Sequence, residues 1–114
     1  MTILFHPSAQ LELRLLAEWY ESRREDLGED LRVELWKALA VIAEHPGRWQ
    51  LSPLRGARRL GVRHFPLNRF PLSLEYIVNG DEVLVVALAH MRRRPGYWVD
   101  RLSARAIRRR PRKK

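Results

Sequence analysis

The residue types best suited to chemistry lie close together in the segment from His90 to Trp98. His90 carries an imidazole, which fits either an acid–base role or a hydrogen-bonded structural role. Three consecutive arginines follow it, and adjacent guanidinium groups repel one another unless an anion is near. We therefore expect Arg92, Arg93 and Arg94 to face phosphate or carboxylate. Tyr97 and Trp98 carry large rings, which favours a packing anchor for the segment.

Metal or cofactor chemistry has little support in the sequence. His6, His64 and His90 fall on three predicted strands, but no carboxylate accompanies them in a recognisable metal-ligand spacing. The chain contains no cysteine, which excludes disulfides, thiolate metal sites and thiol nucleophiles. Gly56 and Gly61 do not form part of a phosphate-binding loop. We therefore expect neither a metal nor a cofactor.

The charge of the chain is unevenly distributed. Residues 1–50 carry six Lys or Arg against nine Asp or Glu, a balance of −3, whereas residues 51–114 carry sixteen against four, a balance of +12. The basic half is expected to bind phosphate or an acidic protein. Charge alone does not separate these two classes of partner.

Length and hydropathy indicate one soluble domain. The 114 residues, 46% of them hydrophobic, suffice for one core and exclude a two-domain enzyme. The longest apolar run, residues 83–89, is too short to span a membrane, and we expect a cytoplasmic protein that does not bind membranes. We predict a domain over residues 1–101 and a basic, mobile tail over residues 102–114.

The first half of the chain reads as a strand followed by two helices. Residues 2–6 are apolar and favour a strand that Pro7 ends, and Ser8 is a candidate cap for a helix over residues 9–26. Leu27-Gly28 offers a left-handed stop, and a second apolar stripe runs from Leu31 to Ile42. The short connection predicts an antiparallel helical hairpin. Trp19 and Trp36 lie off the two apolar stripes, so they either flank the core or mark a docking face.

The second half reads as a sheet. After an irregular connection over residues 46–59, strands are predicted at 60–65, 70–78 and 82–90. Asn79-Gly80 favours a type I′ turn between the last two strands. The order β-α-α-β-β-β predicts an α+β fold in which an antiparallel sheet carries the helical hairpin on one face. The other face is expected to remain available to a partner.

Two strand motifs resemble those of a known superfamily. Residues 70–76 read Phe-Pro-x-x-x-x-Tyr, and residues 87–98 read Ala-x-x-His followed by x-Arg-Arg-x-Pro-x-Tyr-Trp. Together with the element order, these motifs resemble the RelE/ParE superfamily of type II toxin–antitoxin toxins, the plasmid-stabilisation type, over roughly residues 2–101. The superfamily includes ribosome-dependent messenger-RNA endonucleases of the RelE kind and DNA gyrase poisons of the ParE kind. Both kinds are silenced by an antitoxin that wraps the toxin.

The resemblance also implies roles for individual residues. In a nuclease of the RelE kind, Tyr97 matches the C-terminal tyrosine, Arg92 or Arg93 matches a phosphate-binding arginine, and His90 is an alternative base. Such nucleases are metal-independent and use lysines on the sheet, but Lys37 is the only lysine here before the tail. Arginine is a poor proton acceptor, which weakens the nuclease interpretation.

We therefore rank a ParE-like gyrase poison first, a RelE-like endonuclease second, and a basic nucleic-acid-binding protein without enzymatic activity third. An antitoxin with an acidic amphipathic segment is the expected partner in either toxin case. The residues expected to bind it are Arg92, Arg93, Tyr97 and Trp98. The residues expected to bind nucleic acid or the target are Arg63, Arg69, Arg92, Arg93 and Arg94.

Overall fold

The computed structural model describes residues 1–102, so the predicted basic tail lies outside the described residues except for Leu102. Its elements follow the predicted order, with a short third helix and a terminal 3₁₀ turn added. The elements are β1 (Thr2–Phe5), α1 (Pro7–Arg23), α2 (Leu27–Glu44), α3 (Arg55–Arg59), β2 (Arg63–Pro66), β3 (Leu72–Asn79), β4 (Glu82–His90) and the 3₁₀ turn Val99–Leu102.

The four strands form one sheet in the order β1-β4-β3-β2. Strands β2, β3 and β4 pair antiparallel, as predicted. Strand β1 runs parallel to β4, with Thr2 opposite Glu82 and Phe5 opposite Val85, so the prediction of a wholly antiparallel sheet is wrong. Parallel neighbours need a long crossover between them, and everything from α1 to β3 supplies it here. The α+β class is confirmed, with a mixed sheet.

The start of α1 differs from the prediction. Pro7 is the first helical residue, where its missing N–H costs nothing and its fixed φ suits the helix. His6 caps the helix in place of Ser8, because the His6 Nδ1 accepts a hydrogen bond of 3.0 Å from the Ser8 N–H. The helix ends at Arg23, three residues before the predicted end.

The turn between the two long helices is tighter than predicted. Asp26, at φ 69°, takes the left-handed conformation expected of Gly28. Gly28 lies inside α2, and a Cβ atom built there would be 2.5 Å from the Ala17 carbonyl oxygen. The Glu21 carboxylate accepts hydrogen bonds of 2.9 Å from the Asp26 and Gly28 N–H groups. The hairpin therefore depends on the absence of a side chain at Gly28, where the helices meet.

The helical hairpin covers one face of the sheet and encloses the larger core. Leu31, Leu35 and Ile42 of α2 are fully buried there, as their helical spacing predicts. The sheet contributes the residues of β3 and β4 that pack against the helices, and a register shift between the two strands moves the alternation in β4 from Val85 to Leu88. These residues are Leu72, Leu74, Tyr76, Val83, Val85 and Leu88.

Most of the opposite face is covered by the chain itself, which corrects the expectation of an open face. The α3 helix, within the segment predicted to be irregular, and the final 3₁₀ turn close over it. Trp98, only 3% exposed, is the largest buried side chain of this second core. Its other buried members are Ala57, Val62, Leu84, Val86, Ala87, Ala89 and Leu102. What remains open on this face is a cleft beside β2 and β3.

The three antiparallel strands lie close to their predicted positions. β2 begins three residues later than predicted and β3 begins two residues later, whereas β4 has the predicted bounds. The hairpin between β3 and β4 is confirmed, but its turn is not type I′. Asn79 still pairs with Glu82, and only Gly80 has a positive φ, of 60°. Glycine at the first central position fits a type II′ turn, the other turn that suits the strand twist.

Candidate functional site

The segment predicted to carry chemistry, residues 90–98, leaves the end of β4 and turns back toward α1. His90 is partly buried, and its Nδ1 accepts a hydrogen bond of 3.0 Å from the Arg92 N–H. Arg92, Arg93 and Arg94 are all exposed. Among residues 1–102, no carboxylate lies within ion-pair distance of Arg92 or Arg94. The described part of the chain therefore does not neutralise these two guanidinium groups.

Glu12 of α1 anchors the far end of this segment. Its carboxylate accepts hydrogen bonds from the Tyr97 hydroxyl at 2.6 Å and from both terminal nitrogens of Arg101, at 3.0 and 2.8 Å. It also accepts one from the Leu88 N–H at 3.1 Å. Arg101 in turn donates to the Val86 carbonyl at 3.0 Å. Strand β1 ends opposite Val85, so it does not pair with the rest of the β4 edge. There, the Glu12 and Arg101 side chains bind the Leu88 N–H and the Val86 carbonyl, which would otherwise be unpaired backbone groups.

Tyr97 is held in a way that limits its chemistry. Burial, followed by the hydrogen bond to Glu12, raises the pKa of Tyr97 far above its usual value, so the phenol keeps its proton. The Arg93 guanidinium lies 3.5 Å from the centre of the Tyr97 ring and 3.8 Å from Glu12. Both residues are therefore engaged within the protein, and a protonated phenol is not a general base.

Of the other predicted site residues, Trp98 belongs to this segment, whereas Arg63 and Arg69 lie elsewhere in the chain. Trp98 is 3% exposed, so the prediction that it contacts an antitoxin is incompatible with its burial. Arg63 donates to the Trp49 carbonyl, and Arg69 forms a 3.4 Å ion pair with Asp30 of α2. Neither of these two arginines lines the openings beside His90 and Arg93 described below.

An apolar groove, of about 390 Å³, runs between α1 and the arginine segment. Its walls include Leu15 and Trp19, which are 51% and 50% exposed, with Arg93 and His90 at one side. Trp36 is 54% exposed on α2, against the Phe5 ring, so both off-stripe tryptophans reach the surface. The groove joins an apolar floor to a cationic rim, a combination that suits an acidic amphipathic segment. It is lined by Glu12, Leu15, Leu16, Trp19, Tyr20, Leu88, His90, Arg93 and Tyr97.

A second opening is the cleft left on the other face of the sheet, with a volume of about 190 Å³. Its floor holds a polar group that the sequence analysis did not identify as a site. Glu75 of β3 is 3% exposed, and its Oε2 accepts hydrogen bonds from Ser73 Oγ at 2.7 Å and from His64 Nδ1 at 2.8 Å. The wall facing this floor belongs to the segment from His90 to Trp98. His90, Arg93 and Tyr97 thus border both openings, whereas Arg92 borders neither.

The hydrogen bond to Glu75 makes the contribution of His64 to the stability of the fold depend on pH. The hydrogen bond to Glu75 raises the pKa of His64, and this effect outweighs the opposing effect of burial. A group whose pKa is higher in the folded state stabilises the fold fully below its unfolded pKa of 6.5 and loses that contribution as the pH rises through the folded value.

We therefore expect His64→Asn to reduce the difference in the free energy of unfolding between about pH 5.5 and about pH 8.5, with the larger loss at the lower pH. Urea unfolding of both proteins at the two pH values measures this difference. His45→Asn, at an exposed histidine, is the matched control and is expected to leave the difference unchanged. Equal differences for the parent protein and His64→Asn would contradict the prediction.

Residues 1–102 hold neither a metal-binding cluster nor a membrane-spanning helix. Over that range, no group of three His, Cys, Asp or Glu side chains could hold a metal ion. His6 caps α1, and burial, followed by the nearby Arg101, lowers its pKa. No helix in the same range is long and apolar enough to cross a membrane.

Comparison with known proteins agrees with the motif resemblance. Residues 3–95 match the family model described as the ParE toxin of the type II toxin–antitoxin system parDE. The fold is similar to a solved structure of the chromosomal ParDE toxin–antitoxin system from P. aeruginosa, with a TM-score of 0.67 and 16% identity. That similarity covers 81% of this chain and 97% of the other. No curated protein matches the sequence. Because the family model spans most of the chain, the protein belongs to the ParE toxin family of type II toxin–antitoxin systems.

Proposed function

We propose that this toxin inhibits growth by poisoning DNA gyrase and that a cognate antitoxin neutralises it. The observation that carries the proposal is the match to the ParE family over residues 3–95, which includes the arginine segment through Pro95. Toxins of the ParE kind act on a protein target, and such action needs no proton transfer within the toxin. A surface that binds is then sufficient, and Arg92 and Arg94 supply exposed cations for it.

The competing nuclease function has weaker support. RNA cleavage without a metal needs a base for the 2′-hydroxyl proton, an acid for the leaving oxygen and cations for the phosphate. Tyr97 keeps its proton, and Glu12 already lies against Arg93 and Arg101. His90 accepts a hydrogen bond at Nδ1, which leaves only Nε2 to exchange protons with a substrate. These contacts leave the Nε2 of His90 as the only candidate base on this segment.

Three assays separate the candidate functions. Under the proposal, purified protein inhibits gyrase supercoiling and traps cleaved DNA, and protein unfolded by heat before the assay does not. Cleavage of messenger RNA on translating ribosomes, with gyrase unaffected, would favour the endonuclease instead. If induced expression leaves bacterial growth unchanged, both toxin activities fail, and a basic nucleic-acid-binding protein becomes the best account.

The antitoxin proposal rests on the apolar groove beside α1. Exposed Leu15 and Trp19 would be covered by the apolar face of a bound segment, and Arg93 at the groove, with the exposed Arg92 and Arg94 beside it in the chain, would pair with its acidic residues. The expected antitoxin is a short acidic protein encoded in an adjacent reading frame. Its segment would order on binding, since an isolated amphipathic segment of this kind has no core of its own.

We expect the double variant Arg92→Ala, Arg94→Ala to bind this antitoxin about tenfold more weakly, because each exposed ion pair contributes up to about 1 kcal/mol. The salt dependence of the dissociation constant should fall as well. Titration calorimetry at two salt concentrations measures both quantities. The double variant Arg58→Ala, Arg59→Ala removes two exposed arginines of α3 and is the matched control. A dissociation constant equal to that of the parent protein would contradict the prediction.

A further inference from the structure

Helix α3 carries three arginines on one side. Arg58 and Arg59 lie three and four residues after Arg55, a spacing that places side chains next to one another on a helix surface. All three are exposed, whereas Ala57 on the opposite side of the helix is fully buried. Like charges at this spacing repel one another. A polyanion that contacts all three guanidinium groups would relieve this repulsion.

These α3 arginines have no ion-pair partner in the described part of the chain. Among residues 1–102, no carboxylate lies within ion-pair distance of any of the three. Residues 45–80 contain six arginines and one acid, Glu75, which is only 3% exposed. The helical hairpin is the reverse, because residues 7–44 carry nine acids and five basic side chains. An anion is therefore attracted to the surface around α3 and repelled by the hairpin.

The fold fixes the position of α3. Ala57 packs in the second core with Val62, and the Val62 N–H donates a hydrogen bond of 3.0 Å to the Ala57 carbonyl. Leu54, the residue before the helix, packs beside Gly96 of the arginine segment, where an added Cβ atom would lie 3.2 Å from Leu54 Cδ1. Arg94 is exposed and borders the same cleft as Leu54. The three α3 arginines thus form a fixed surface close to a fourth exposed arginine.

The chemistry around α3 indicates a nucleic-acid backbone as the ligand. Neither opening described above is lined by an arginine of α3, so these cations do not border the apolar floor that an acidic amphipathic segment would cover. Residues 50–63 contain no aromatic side chain, although single strands and RNA loops are bound mainly by stacking their bases on such rings. The backbone of duplex DNA needs neither feature, since its closely spaced phosphates bind guanidinium groups directly.

We propose that α3 binds the phosphate backbone of duplex DNA through Arg55, Arg58 and Arg59. Neighbouring positions on the helix place the three cations on a short ridge, which can contact successive phosphates of one strand. Such contacts do not read the bases, so the binding is independent of sequence. This site lies beyond the proposed action on gyrase and does not require it. It is also separate from the groove proposed for the antitoxin.

Fluorescence anisotropy of a labelled duplex of about 20 base pairs, titrated with the full chain at several salt concentrations, tests the proposal. The triple variant Arg55→Ala, Arg58→Ala, Arg59→Ala should bind the duplex about tenfold more weakly. The slope of log K against log salt concentration should become shallower by about 2 to 3, since each phosphate contact contributes about 0.9. The charge-conserving variant Arg55→Lys, Arg58→Lys, Arg59→Lys should keep the slope of the parent protein, because counterion release depends on charge.

The matched control removes the same charge from the helical hairpin. The variant Arg14→Ala, Arg32→Ala, Lys37→Ala takes away three cations that form no ion pair among residues 1–102, and its affinity and slope should stay close to those of the parent protein. Residues 103–114 are the same in every variant, so their basic side chains cannot account for a difference. Two duplexes of equal length and different sequence should bind equally.

Other outcomes would overturn the proposal. A triple-alanine variant of α3 with the slope of the parent protein would place DNA binding elsewhere in the chain. Tighter binding of the parent protein to an oligoglutamate peptide of equal charge, to single-stranded DNA or to duplex RNA would contradict the choice of duplex DNA, and so would the absence of duplex binding. These last comparisons need no variant, so they hold even if the α3 variant fails to fold. None of the assays contains gyrase, so their outcome is independent of gyrase poisoning.

Discussion

Replacing Glu12 with alanine is expected to lower the free energy of unfolding by about 3 kcal/mol, because one partner of a largely buried ion pair is lost. The Glu12 and Arg101 side chains are 12% and 17% exposed, so the Arg101 charge left behind is poorly solvated. The Leu88 N–H and the Tyr97 hydroxyl lose their acceptor at the same time. Removing one acceptor thus leaves several donors unsatisfied.

Urea unfolding followed by circular dichroism measures this loss. Glu18→Ala is the matched control, because Glu18 is an exposed glutamate of the same helix and has no ion pair among residues 1–102. We expect it to change the stability by less than about 0.5 kcal/mol. Hydrogen exchange at the Leu88 amide should also accelerate in the Glu12 variant. A Glu12→Ala protein as stable as Glu18→Ala would show that the contacts of Glu12 contribute nothing to the fold.

Gly28→Ala is expected to destabilise the protein by about 2 kcal/mol, as overpacking does at closely packed positions. The added Cβ would lie 2.5 Å from the Ala17 carbonyl oxygen, so α1 and α2 would have to move apart. The hydrogen bond from the Gly28 N–H to Glu21 would be disturbed with them. Steric cost exceeds the gain in helix propensity, which is about 1 kcal/mol for alanine over glycine.

For Gly56→Ala, by contrast, we expect no loss of stability. Nothing lies within 4 Å of a Cβ atom at Gly56, and the residue belongs to α3. The substitution should therefore leave the protein unchanged or stabilise it by up to about 1 kcal/mol. Thermal unfolding of the two variants in parallel compares them directly. If both shift the melting temperature equally, close approach of the helices at Gly28 is not the cause.

Local sequence patterns predicted most of the helices and strands, but they did not predict how the strands pair. The apolar repeat of α2 and the continuous apolar run of β4 appear in the structure as expected, because both patterns follow directly from burial. The parallel pairing of β1 joins residues about eighty positions apart, and no local signal reports it. The predictions of the helix ends were also wrong. His6 caps α1 where serine is the usual residue, and Asp26 takes the left-handed conformation that glycine usually adopts.

In the candidate sites, too, local sequence patterns predict some of the residues and not others. Three adjacent arginines identified the C-terminal segment, since such a cluster is costly without an anion. Glu12 went unnoticed because its partners Tyr97 and Arg101 are 85 and 89 residues away. Glu75 alternates with apolar residues in β3, a pattern that predicts a solvent-facing side chain. Its burial follows from the chain that crosses the second face, which the strand pattern cannot report.

The pairing of β1 with β4 has a consequence for how the protein is made. During translation, Thr2–Phe5 leave the ribosome well before their partner strand β4 and the Arg101 that binds Glu12. The sheet cannot close before then, because long-range contacts form only when both segments are present. A ribosome that stops before β4 therefore releases a fragment in which β1 has no partner strand. The fold of this toxin is completed only after β4 and Arg101 have been made.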